Sequence, residues 1–240
     1  MIEDSYYAES YYQARYDFRP TSMYWWSTRY YARLVSKHAP RRGGRLLEIG
    51  YGMGHLLGML ERDFETTGVD VSAYANQEAP KNAPASRFIT GDIAAGLDFP
   101  AGHFAVIVAK HIFEHVPEPG RALAECARLL EPGGLLLFGT PNPTSLGAGW
   151  KGSRWVGWSD ASHVSVLPPA EWLSLTTEAG FVVKRAFGNG LWDVPYVRWL
   201  PTAIQRAIFG LPALVQVLTV GAWMPLRLGE SLLVIARRGG

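Results

Sequence analysis

Three acids, Glu48, Asp70 and Asp92, each lie at the end of a segment that reads as a β-strand, and three histidines, His111, His115 and His163, follow later in the chain. An ionised carboxylate only accepts hydrogen bonds, so acids at strand ends suit the hydroxyl and amino donors of a nucleoside. Histidine titrates near neutrality and suits removal of a proton from an acceptor hydroxyl. His163 is the first choice for such a base and His111 the second, whereas His115 reads as a ring held by its neighbours. No histidine and carboxylate set has the spacing of a metal site, so no metal is expected. The single cysteine, Cys126, excludes an internal disulfide, and it sits among Leu123, Ala127 and Leu130 at helical spacing, as a small buried hydrophobe does.

The most specific signal is Glu48-x-Gly50-x-Gly52-x-Gly54, which follows Leu46 and Leu47 and runs into the apolar, helix-like stretch His55 to Phe64. This reads as strand, tight turn, helix. Without a Cβ, glycine takes positive φ and lets a ligand lie against the main chain at the start of the helix. A dinucleotide fingerprint needs its third glycine where His55 stands, and Glu48 would face a pyrophosphate with like charge. A nicotinamide oxidoreductase is therefore disfavoured. A ligand carrying a sulfonium and an ammonium group meets no such conflict.

Glu48-x-Gly50-x-Gly52-x-Gly54 resembles the first motif of class I S-adenosylmethionine (SAM)-dependent methyltransferases. Three later stretches fall in the matching order: Gly68-Val69-Asp70, then Gly91-Asp92-Ile93, then Lys110-His111-Ile112-Phe113-Glu114-His115-Val116. The last is close to the leucine-glutamate-histidine-valine sequence after the fourth strand of small-molecule and lipid-type members. The Leu130-Glu131-Pro132-Gly133-Gly134 turn is similar to theirs as well. Many members carry Asp where Ala105 stands, a departure at a strand's start and away from the ligand end. The resemblance implies SAM as cofactor, without a metal. It implies contacts from Glu48, Gly50, Tyr51, Gly52 and Gly54 at the turn, Asp70 and Val71 at the ribose, Asp92 and Ile93 at the adenine, and Lys110 and His115 beside them.

Such residues must be positioned by an α/β, Rossmann-like fold. The expected sheet has seven mostly parallel strands with helices on both faces and an antiparallel last strand. Phe104 to Ala109 is a continuous apolar run, as in a central parallel strand buried on both faces. Strands are also expected over 135–140 and 181–187, and a closing edge strand over 231–237. The chain reads as one domain: an aromatic helical lid over 1–36, a SAM-binding core over 37–140, and a substrate loop with closing strands over 141–240, carrying an apolar insert over 188–229. Eight of the 11 tyrosines fall in the first 36 residues. Tyr12, Arg15 and Tyr16 stand at helical spacing there, so that segment either covers the ligand, with Tyr12 and Arg15 on the acceptor, or packs on the sheet as a layer. Asn142, Trp155 and Trp158, in the irregular stretch to about Pro168, are the other expected acceptor contacts.

A formal charge of +2 on 240 residues is too mild for a nucleic-acid partner. The N-terminal residues have neither the basic segment nor the apolar core of a secretory signal, so a cytoplasmic location is expected. Between Arg206 and Arg227 no residue is charged. That stretch reads as a packed cap or homodimer face, as an apolar substrate mouth with peripheral membrane contact, or as a span, against which Pro212, Gln216 and Pro225 argue. The function expected is methyl transfer from SAM to a hydroxyl of a small or partly apolar molecule, such as a natural product, a quinone-like compound or a lipid-linked sugar. Transfer to N or C, and a SAM-binding partner module without catalysis, remain the alternatives.

Overall fold

The computed structural model describes residues 18–20 and 22–240, so Tyr12 and Arg15 lie outside the described residues. Strand β1 (Arg45–Ile49) pairs in parallel with β2 (Glu65–Asp70) on one side and β4 (Phe104–Lys110) on the other. Strands β3 (Arg87–Thr90) and β5 (Leu130–Pro141) extend the sheet outward, and β6 (Phe181–Asn189) and β7 (Ser231–Arg238) complete the order β3-β2-β1-β4-β5-β7-β6. Chain order reverses between β1 and β4, which opens a crevice beyond the carboxyl ends of those two strands.

Successive residues of the central strands point to opposite faces, and each face has its own core. Leu46, Val106, Val108, Leu135 and Leu137 pack under helix α1 (Met23–His38) and helix α2 (His55–Leu60), with α3 (Ala73–Glu78) alongside. Leu47, Ile107, Leu136 and Phe138 pack under α4 (Pro119–Leu129), where Cys126 is fully buried, and under Trp172 of α7 (Pro169–Glu178). Two short helices, α5 (Leu146–Lys151) and α6 (Val156–Ser159), cross the stretch after β5.

One expectation changes here, and two open alternatives narrow. Strand β7 is not an edge: it pairs antiparallel with both β5 and β6, because the uninterrupted apolar run Leu232 to Ala236 can be buried on both faces. The edge is β6, where Val182, Lys184 and Arg185 reach solvent. Within the expected lid, α1 forms a packed layer, with Tyr30, Tyr31, Leu34 and Val35 fully buried on the sheet. Among the described residues of that segment, Tyr24 lines the ligand crevice and Phe18 stacks on His55 at 3.7 Å. The uncharged stretch forms α8 (Thr202–Thr219), long and apolar enough to cross a membrane by composition, yet it packs against α1 and sends Val217 into the core. Buried Gln205 and Gln216 donate to the carbonyls of Val197, Leu200 and Gly188, so the helix belongs to this domain's surface rather than to a span.

The turn after β1 depends on its glycines. Gly50, Gly52 and Gly54 have φ of 68°, 51° and 74°, and a Cβ on Gly50 would lie 1.9 Å from the Ile112 side chain. Gly50→Ala is expected to cost about 1–2 kcal/mol from the left-handed backbone alone, and a thermal melt will show the midpoint falling by several degrees.

Candidate functional site

A cavity of about 430 Å³ occupies the crevice between β1 and β4. On its first side Glu48 reaches in from β1, only 3% exposed, with Oε2 lacking a hydrogen-bond partner among the described residues. Burial pushes its carboxyl well above the usual range, against the pull of Lys110. Burial likewise draws the Lys110 ammonium down to about 7, against the opposing effect of Glu48. Lys110 Nζ donates to Thr28 Oγ1 at 2.8 Å and lies 4.0 Å from the centre of the Tyr24 ring. A cationic ligand group beside Glu48 would supply the partner that its orphaned oxygen lacks.

The other two acids stand at the ends of the neighbouring strands but hold the scaffold. Asp70 accepts from the Gly52 and Ser72 amides, both at 2.9 Å, which ties the glycine turn to β2. Asp92 is exposed and accepts from the Ala94 amide at 2.8 Å, capping the short turn that follows. Of the three acids, Glu48 lines the cavity. Ile93, expected to cover a ring, is buried in the core, and the open apolar side chain at this edge is Val71, 47% exposed. Tyr51 lines the cavity as expected, while its ring packs edge-on to Phe88 and over Gly68.

The opposite side gathers the histidines. His111 follows β4 with φ of 57°, rare for a residue with a side chain, and its amide donates to Gly139 O at 3.0 Å. Its Nδ1 lies 3.1 Å from Glu114 Oε1, and its Nε2 lies 3.3 Å from Ser231 Oγ. Both ring nitrogens are thus engaged. Nδ1 of His163 faces Gly157 O at 3.0 Å, and Nδ1 of His115 faces Ser162 O at 3.1 Å. A nitrogen facing a carbonyl carries the proton, which makes Nε2 the lone-pair atom of each neutral ring. The two rings meet edge to face with centroids 4.8 Å apart.

Beneath them Glu114 is fully buried, and its Oε2 has no hydrogen-bond partner among the described residues. Burial opposes its charge, yet the bond from His111 and the nearness of His115 and His163 hold its carboxyl below the usual range. One ligand atom each from Glu114, His115 and His163 lies within 4.8 Å of the others. This corrects the expectation that no metal-type set exists. The residues come from the turn after β4 and the loop after α6, too far apart in sequence for spacing to reveal them. One carboxylate and two imidazoles, each bonded to a carbonyl through its other nitrogen, form a donor set that a divalent zinc-like cation accepts.

The expected acceptor contacts fare unequally. Trp155 lines the cavity, and its indole nitrogen has no hydrogen-bond partner among the described residues. Trp158 is turned outward, 52% exposed. Asn142 is fully buried and spent on structure: Nδ2 donates to Leu226 O and Gly229 O, while Oδ1 accepts from Thr144. Sequence reasoning missed Trp192, Asp193 and Glu230, which close the far wall. Glu230 Oε2 accepts from the Trp192 and Asp193 amides at 2.7 Å, and burial raises its carboxyl. A signal existed, since Asp193 and Glu230 are the acids that bracket a stretch containing no other.

A seven-stranded sheet in this order, with a glycine turn, a buried acid and a ligand cavity at the reversal, defines the class I SAM-dependent methyltransferase fold. The chain belongs to the family described as "Methyltransferase domain", whose model matches residues 24–186. That assignment sets aside the oxidoreductase alternative. Among curated relatives, the ubiquinone biosynthesis O-methyltransferase of Alkalilimnicola ehrlichii is 40% identical over 107 residues, covering 42% of this chain and 42% of that protein. The phosphatidylethanolamine N-methyltransferase of Cereibacter sphaeroides is 35% identical over 108 residues, covering 42% of this chain and 53% of that protein. The match therefore spans about half the length of these relatives. Among solved structures, a methyltransferase in complex with the Haloferax volcanii Trm112 activator superposes with a TM-score of 0.70 at 17% identity, covering 99% of this chain and 97% of that one.

Proposed function

We propose that this protein transfers the methyl group of SAM to a hydroxyl of a small, partly apolar acceptor. The carrying observation is one cavity with a cation-seeking carboxylate, Glu48, on one wall and the oriented imidazole of His163 on the other. SAM supplies an electrophilic methyl on a sulfonium and leaves as the neutral thioether. Glu48 would hold its ammonium end, the open backbone of the Gly50 to Gly54 turn would lie along its main body, and Val71 and Asp92 would stand at its adenosine. The resemblance to ubiquinone-type O-methyltransferases favours a hydroxyl acceptor, and the phosphatidylethanolamine relative makes an amine the alternative.

His163 Nε2 takes the acceptor's proton as the new bond forms, and the Nδ1 bond to Gly157 O keeps the ring in the tautomer that can do so. Trp155 and Trp192 wall the cavity and limit water at the reacting oxygen. A second reading uses the same cluster. The orphaned Oε2 of Glu114 between two oriented imidazoles suits a divalent cation, which would acidify the acceptor hydroxyl directly.

Calorimetry with SAM and with S-adenosylhomocysteine tests the cofactor, and labelled methyl release onto alkyl phenols and onto primary amines tests the reaction. Binding of both nucleosides with label on the phenols is expected. Binding without transfer to any acceptor in a metabolite extract would instead make the chain a SAM-binding partner module.

A further inference from the structure

Helix α8 presents a long apolar face that no other element among the described residues covers. Ile204, Ile208, Leu211, Leu214, Val215 and Leu218 share one stripe of a 3.6-residue helix, and all six are exposed, Leu211 at 58%. Its inward face carries the glutamines Gln205 and Gln216 beside Ala213 and Val217. A helix bathed in water has the opposite polarity. Trp199, 83% exposed, stands just before the helix, and Trp223, 53% exposed, just after it.

Charge adds a direction. From residue 194 to residue 229 the chain has Arg198, Arg206 and Arg227 and no acid. At the helix's end Arg33 donates to the carbonyls of Val217 and Leu218, and Lys37 donates to that of Val220, which adds two cations from α1.

We propose that this face docks on an anionic lipid bilayer, with α8 lying in the membrane plane. The stripe sinks to the acyl boundary, Trp199 and Trp223 sit at headgroup level, and the arginines meet lipid phosphates. Lipid fits better than a second copy of this chain. A two-fold contact sets the same patch against itself, so these arginines would oppose one another with no acid in the stretch to pair them. Phe209 of α8 meets Trp150 and Tyr196 edge to face, centroids 6.2 and 5.1 Å away, beside the Trp192 and Asp193 wall of the cavity. An acceptor dissolved in the bilayer thus has an aromatic route to the site. The contact itself does not depend on which acceptor that is.

The test is co-sedimentation of the full chain with vesicles of phosphatidylcholine alone and of phosphatidylcholine containing about one third phosphatidylglycerol. Binding to the anionic vesicles, weakened by salt, is expected. The double variant Ile208→Glu, Leu211→Glu should lower it roughly tenfold or more. Both positions are exposed and away from the cavity, so melting temperature and SAM affinity should stay as in the wild type. Wild-type protein that stays in the supernatant, or a double variant that pellets equally well, overturns the proposal. A dimer seen by light scattering, split by the same variant and indifferent to vesicles, assigns the face to a second copy. Calorimetry with SAM on the same samples keeps the two questions apart, because a failure there removes the methyltransferase reading without touching the vesicle result.

Discussion

His163→Ala is expected to lower methyl transfer by roughly a hundredfold or more, within the range that positioned acid–base groups contribute, while affinity for SAM stays within a few-fold. The separation follows from where the ring sits. His163 faces the cavity from the loop after α6, across from the glycine turn, and its bond to Gly157 O fixes the tautomer without involving any residue of that turn. Steady-state turnover and SAM calorimetry on one preparation check both halves. Unchanged turnover removes His163 as the base. The cation reading predicts more: a chelator should inactivate the wild type, an added divalent cation should restore it, and Glu114→Gln should be as damaging as His163→Ala, since both are proposed ligands. Full activity in the chelator leaves the imidazole acting alone.

Glu48→Ala is the second large effect. A hydrogen bond to a charged group is worth about 1.5–3 kcal/mol, so SAM affinity should fall roughly ten- to a hundredfold. The free protein should lose no stability and should gain some. Glu48 is buried with one oxygen unpaired and with its carboxyl pushed toward the neutral form by burial, so the fold bears a cost for holding it there. Melting curves with and without SAM test this. The unliganded variant should melt no lower than the wild type, and the upward shift that SAM gives the wild type should nearly vanish. A variant that SAM stabilises fully would show that the ligand's cationic end lies elsewhere.

Much of the scaffold was legible because it rests on local, short-range chemistry. Alternating glycines compelled a tight turn, and Gly50, Gly52 and Gly54 do adopt positive φ. The continuous apolar run of β4 demanded cover on both faces and received it. Strand β7 shows where such reasoning ends. It was expected at the edge, yet it lies between β5 and β6, because which strands flank it depends on the path of the chain between β6 and β7, and that path carries no periodic signal.

The side chains of the site divide along the same line. Asn142 and Ile93 were given ligand roles for standing near strand ends, yet an asparagine able to satisfy two buried carbonyls, or an isoleucine able to fill the core, is spent where packing most needs it. Trp155 and Trp158 are three residues apart and their rings meet edge to face with centroids 5.8 Å apart, yet the first is fully buried and the second 52% exposed, a difference that spacing does not carry.

What the amino-acid sequence determined by itself is the glycine-turn end of the crevice: the turn, the acid before it and the strands that carry both are neighbours along the chain, so pattern and spacing are enough to specify them. Only the tertiary structure decided the opposite, histidine-bearing end. Glu114, His115 and His163 become a cluster, and Trp192 and Glu230 become a wall, through contacts between segments far apart in sequence, and such contacts form when the sheet closes and leave no mark in local spacing.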